Sequence, residues 1–180
     1  VMLSITEFLE KKLKLRVNRA KSAVASPHER KFLGHRILLG GKIGIAPQSL
    51  ERAKERIRML TRRNRGRSLE LVVRQLKKFT TGWVTYYRHA AIKNRLLEMD
   101  NWVCRKLRCY RLKQRKKSKS ITDFLTRLGV PPERAWILGR SSKGWWRLSK
   151  NPVIHEAMSE DWFKGIGLVS LAERWVALNA

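Results

Sequence analysis

The stretch "SLELVVRQLKKFTTGWVTYYR", Ser68 to Arg88, decides how this chain is read. Ser68 stands where a helix N-cap belongs. Leu69, Val72, Val73, Leu76, Phe79 and Trp83 then recur at helical spacing, and Tyr86 and Tyr87 continue the stripe. Such a stripe belongs more often to a core-facing helix than to a ligand platform, so Trp83 is expected in the core. Gly82 weakens a helix, and its expected use is close approach of a neighbouring helix. Tyr86 and Tyr87 point roughly 100° apart, so unequal burial is expected. One of them, with Arg88, is left to reach a partner by stacking or hydrogen bonding.

Working outward, "APQSLERAKERIRMLTRRNRG" (46–66) has Pro47 where a first helical turn tolerates it. Leu50, Ala53, Ile57 and Leu60 form its face, and Gly66 ends it. A third helix, about 91–117, carries Ile92, Leu96, Met99, Val103, Leu107 and Tyr110. Three amphipathic helices with short joins predict a bundle. Beyond Ser118 the elements shorten. Ser120 and Asp123 resemble a capping box. Pro131-Pro132 restarts a helix, Trp145-Trp146 follows a turn, and three short helices complete the pattern. Trp145-Trp146 either stacks single-stranded bases or packs under those helices. Before Pro47 the chain reads as α+β. A helix over 4–14 has Ser4 as cap and Ile5, Phe8, Leu9 and Leu13 as its face. Strands are expected at 13–18, at 21–25, and on both sides of Gly40-Gly41. The expected fold is mainly α: a three-helix bundle and short C-terminal helices, preceded by a small α+β segment.

Charge narrows the function. The 180 residues hold 41 Lys and Arg against 14 Asp and Glu, a formal +27. A polyanionic partner, nucleic acid foremost, offsets such self-repulsion. No apolar run approaches the ~20 residues that span a bilayer, so no membrane partner is expected. Cys104 and Cys109 have poor spacing for a disulfide within one helix, which predicts a reducing, cytoplasmic setting. The four His are scattered, so no metal site is expected. A two-metal polymerase or nuclease needs clustered carboxylates. The three Asp (100, 123 and 161) fall in different elements, and Glu160-Asp161 opens a helix, where acids favour the dipole. No catalytic residue and no cofactor is assigned to this chain.

Binding residues are readable. Residues 52–67 hold eight Lys or Arg with Glu55 the sole acid, and 105–119 hold nine with none. Without interleaved acids, pairing along the helix is not their purpose. Arg52, Arg56 and Arg63 share one side of the first long helix, with Arg58, Arg62 and Arg65 on an adjacent strip. Arg105, Arg108, Arg111 and Arg115 repeat at three or four on the third helix, beside Lys106 and Lys113. These cations are the expected phosphate contacts. Arg88, Tyr86, Tyr87 and Trp146 are added as contact or stacking residues. Residues 151–180 hold only two cations against four acids and are expected to serve packing or a partner contact.

The pieces also arrive in a recognisable order: "ITEFLEKKLKLRVNRAKSAV" (5–24), "RKFLGHRI" (30–37), the run 45–88, "LLEMDNWVCRKLRCYRLKQRKK" (96–117), "KGWWRLS" (143–149) and "GLVSLAERW" (167–175). Together they resemble the C-terminal portion of bacterial group II intron reverse transcriptase/maturases, over essentially the whole chain. The resemblance implies the end of a polymerase palm at 1–46, with Phe32-Leu33-Gly34 near the primer. It implies a thumb bundle at 47–118 and a maturase-specific helical region at 119–180. The implied partners are group II intron RNA, whose folding and splicing the protein assists, and an RNA/DNA template–primer duplex. The resemblance says nothing about a homodimer. Mg²⁺ is implied only for an intact parent enzyme. The family's Tyr-Ala-Asp-Asp hairpin is absent, as is a Cys/His-rich endonuclease segment, and Arg115 stands where relatives often carry Trp. Val1 in place of Met and the apolar pattern beginning at Ile5 read as a truncated frame. The reading is therefore an RNA-binding thumb/maturase module. Its rivals are part of an RNA-directed DNA polymerase, a DNA-binding protein of transposase type, and a remnant without function.

Overall fold

Two of the three long helices start where backbone chemistry favours it. In the computed structural model, which describes residues 1–180, Pro47 occupies the first turn of α2 (Pro47–Leu60). Ser68 Oγ accepts the Leu71 N–H to open α3 (Leu69–Tyr86). Helix α4 (Lys93–Arg115) completes the bundle. The chain is mainly helical with a small antiparallel sheet, as its periodicity predicts. Helix α1 spans Met2–Lys11, and strands β1 (Lys31–Phe32), β2 (His35–Ile37) and β3 (Ile43–Ile45) pair in that order. After α4 come α5 (Ser118–Arg127), α6 (Pro132–Gly139), α7 (Trp145–Leu148), α8 (Pro152–Ala157), α9 (Glu160–Gly165) and α10 (Leu171–Asn179).

Residues 13–25 form no strand, and the sheet contains only β1, β2 and β3. Ser4 lies within α1, whose cap position is Val1, and Ser120 and Asp123 lie within α5, which starts two residues earlier. The Gly40-Gly41 hairpin forms as expected, joining β2 to β3 with both glycines at positive φ. A second tight turn links β1 to β2. Leu33 (φ 49) and Gly34 (φ 78) fill it, and Phe32 pairs with His35 across it. A Cβ on Gly34 would lie 2.5 Å from the Tyr87 hydroxyl, so only glycine fits there.

One core joins the bundle to the C-terminal helices. It runs from Ala53 through Leu76, Leu96, Leu107 and Leu125 to Phe163 and Ala172. Before Ala46 only Ile45 packs against it. The face predicted for α1 is instead solvent-exposed at Ile5, Phe8 and Leu13. The C-terminal helix docks on α3 and α4 through a buried carboxylate. Asp100 accepts hydrogen bonds from Ser170 Oγ (2.8 Å), Leu171 N (2.9 Å) and Ala172 N (3.0 Å), which are the first donors of α10. Burial pushes its carboxyl above the ordinary value, and these three donors pull against that shift. At the other end of α10, Asn179 Nδ2 donates to the Arg88 carbonyl at 3.0 Å.

Cys104 and Cys109 are both buried and unpaired. Burial pushes the Cys104 thiol up to about 12 and raises Cys109 as well. Thiolate, the reactive form, is then scarce at neutral pH. Iodoacetamide at pH 8 is expected to leave both unmodified in the native chain and to label both in urea, as read by intact mass. Labelling of the native protein at the urea rate would contradict this packing.

Candidate nucleic-acid interface

The connection between α2 and α3 is short, basic and tied down. The Arg67 carbonyl accepts from Tyr110 Oη (2.6 Å) and Gln114 Nε2 (2.8 Å), both on α4. Arg67 Nη1 in turn donates to Gln75 Oε1 on α3 at 2.9 Å. Arg65 Nη1 donates to the Met59 carbonyl at 3.2 Å. These bonds hold open a cleft of about 1090 Å³ between α2 and α3. Arg56 projects into it from α2, Arg62, Arg65 and Arg67 from the connection, and Lys78 from α3. Phe79 and Trp83 supply aromatic wall, and no acid lines it. Cations gathered around a cleft, two of them anchored, beside half-buried rings suit a phosphate backbone with an unstacked base.

Gly82 lines this cleft rather than a helix contact. No atom lies within 4 Å of where its Cβ would be, so its place is open surface. Trp83 is half-buried, with one side against the core and the other on the cleft. The two tyrosines part as their 100° offset requires. Tyr87 is 7% exposed, with ring centroids 4.8 Å from Trp83 and from His35. Its ring is core and has no face for a base. Tyr86 is 54% exposed, and its hydroxyl donates to the Leu33 carbonyl at 2.9 Å. That bond fastens the Phe32-Leu33-Gly34 turn to the end of α3, with Phe32 and Leu33 exposed.

The arginine stripe of α4 needs a larger correction. Arg108 is 2% exposed and its Nε donates to the Met158 carbonyl at 2.8 Å, so it is an interior residue and leaves the phosphate-contact set. The α8–α9 segment covers this stretch of α4. The neighbouring arginines of α4 sit over rings. The Arg105 guanidinium carbon lies 3.8 Å from the Trp146 ring, and Arg111 and Arg115 lie 5.1 and 4.7 Å from Phe124. Arginine combines an apolar stem with a head that stacks on rings, so the stripe covers hydrophobic surface as well as carrying charge. Trp146 keeps partial exposure, with one face taken by Arg105.

Of the remaining candidates, Arg58, Arg63 and Lys106 gather on the other flank of α2 with Trp146. Arg52, Arg88 and Lys113 line neither group. Arg88 Nε donates instead to His89 Nε2 at 3.0 Å. Sequence reasoning missed Arg67 and Lys78 as cleft residues. A helical register run through the connection would have flagged Lys78, three residues after Gln75 and one before Phe79. Arg67 lies outside any helix, where periodicity carries no signal. No three His, Cys, Asp or Glu side chains converge to hold a metal ion. The residues present therefore do not fit the Mg²⁺ of a polymerase centre.

The fold and surface define a small basic helical domain whose charge is concentrated where its helices join. Residues 50–129, from within α2 to the end of α5, match the family model of the group II intron, maturase-specific domain. This segment is thus similar to a group II intron maturase-specific domain, and the similarity points to maturase function linked to intron splicing, with intron RNA as the implied partner. The match includes all five cleft cations. It spans the region assigned above to the thumb and the first helix after it. No curated protein matches the chain. No helix is long and apolar enough to cross a membrane.

Proposed function

We propose that this chain binds folded group II intron RNA and, by holding it, assists splicing. The observation that supports this most is the acid-free cleft between α2 and α3, with five cations and two aromatic rings, inside the matched segment. A folded intron crowds phosphates together, and cations fixed in a rigid cleft offset that repulsion. A protein that binds only the active RNA shape raises its population. A-form major grooves admit side chains poorly, so recognition goes through backbone shape and unpaired bases. Arg62→Glu with Arg65→Glu is expected to weaken binding of folded intron RNA at least tenfold. It should also flatten the plot of log affinity against log salt by about two contacts' worth. Unchanged affinity and slope, or preference for duplex DNA over intron RNA at matched salt, would overturn the proposal.

A second reading has a specific observation in its favour. Tyr86 fastens the Phe32-Leu33-Gly34 turn to α3, the helix that also lines the cleft. That arrangement suits a chain gripping an RNA/DNA template–primer duplex within a larger polymerase whose Mg²⁺ ligands lie outside residues 1–180. Tighter binding of an RNA/DNA duplex than of folded intron RNA would favour it.

A further inference from the structure

Helix α2 carries cations on two flanks. Arg56 faces the cleft just described, and Arg58 follows two residues later, about 200° round the helix. Arg58 meets a separate cavity of about 270 Å³ at the seam of α2, α4 and α7. At ~30 Å³ per water, it has room for roughly nine, enough for a phosphate group that keeps part of its hydration. Arg58, Arg63 and Lys106 line it with Thr61 and two tryptophans, and no acid does. One acid stands near: Glu51 Oε2 lies 3.9 Å from Arg58 Nη1, at the limit of an ion pair. Two of the charged heads lie over a ring, and the third, Arg63, donates from Nη1 to Cys109 Sγ at 3.4 Å, which also lines the cavity. Lys106 Nζ lies 5.0 Å from the Trp102 ring, and Arg58 Cζ lies 5.7 Å from the same ring. At the rim, Arg105 stacks on Trp146 and its Nη2 donates to that residue's carbonyl at 3.2 Å.

We propose that this seam is a second phosphate-binding site, taking a nucleic-acid backbone phosphate on the far side of α2 from the cleft. The proposal rests on the RNA-binding reading above. Like charges brought together with one acid at the limit of an ion pair repel, and a bound phosphate converts that repulsion into attraction. Burial lowers the Lys106 pKa, and Arg58 and Arg63 lower it further, as expected for cations sharing one space. Heads already held by a ring or by Cys109 lose little side-chain entropy when the anion arrives. With both flanks engaged, α2 would lie between two stretches of RNA backbone.

The probe is inorganic tripolyphosphate, titrated into the full chain by calorimetry and followed by tryptophan emission, since Trp102 and Trp146 line the seam. Binding at the seam is expected to weaken about tenfold in Arg63→Gln and in Lys106→Gln, and to stay unchanged in Arg134→Gln, an exposed residue of α6 outside both the cleft and the seam. Arg63 is exposed, so its substitution preserves the fold even where Lys106→Gln does not. Equal affinity and equal emission change in wild type and Arg63→Gln would overturn the inference. Folded intron RNA separates it from the proposed function. If Arg62→Gln weakens RNA binding and Arg63→Gln leaves affinity and salt slope untouched, the second site falls and the proposed function stands. If the wild-type chain does not bind the RNA, the proposed function falls, and the tripolyphosphate titration still decides the seam.

Discussion

Replacing Asp100 with alanine is expected to lower the unfolding free energy by about 3–5 kcal/mol. The carboxylate is 8% exposed and accepts three hydrogen bonds, two of them from the first backbone N–H groups of α10. Alanine would orphan all three donors in a place water reaches poorly and would leave a cavity between α4 and α10. Asp100→Asn keeps the volume, but its amide nitrogen would face a donor, so its cost should fall between alanine and wild type. Denaturant unfolding gives the size of the effect, and hydrogen exchange gives its place. Protection should be lost first at residues 171–179. A midpoint within error of wild type for Asp100→Ala would show that α10 docks through its apolar contacts alone.

Arg108→Glu should abolish cooperative folding, at a cost above about 4 kcal/mol. The substitution would strand the Met158 carbonyl and place a carboxylate in the interior, within the field of Glu160. Reversing Arg62, which is exposed, should shift stability by no more than about 0.5 kcal/mol while reducing RNA affinity. The pair therefore separates folding from binding in one thermal melt and one titration. A native-like melt for Arg108→Glu with lost RNA binding would return Arg108 to the phosphate face.

These two arginines show how far the sequence could be read. The long helices were legible because their signals are local: Pro47 in a first turn, Ser68 as a cap, and apolar residues every three or four positions. The Gly40-Gly41 hairpin was legible for the same reason. Periodicity groups Arg105, Arg108, Arg111 and Arg115 on one face, but it does not say what covers that face. The cover on Arg108 comes from Met158 and Phe163, some 50 residues on, and no local signal reports it. Gly82 was misplaced by the same gap: its spacing fits a helix contact, yet no helix comes to it. The segments 13–18 and 21–25 have strand-like composition, yet composition does not bring them to the small sheet of β1, β2 and β3. The cleft itself was half legible. Its cations stood out as a run without acids, while its shape depends on Tyr110 and Gln114 reaching back to Arg67.

The tie between Asp100 and the start of α10 also bears on how the protein is made. Asp100 and its three donors are separated by 70 to 72 positions. During synthesis α2, α3 and α4 emerge first, and Asp100 must wait with its charge toward solvent. Only when residues 170–172 leave the ribosome can that carboxylate be covered. Until then the nascent bundle has an open side and a dense positive surface, in a cell full of RNA. Helix α10 thus closes over Asp100 only after the bundle's own three helices are complete.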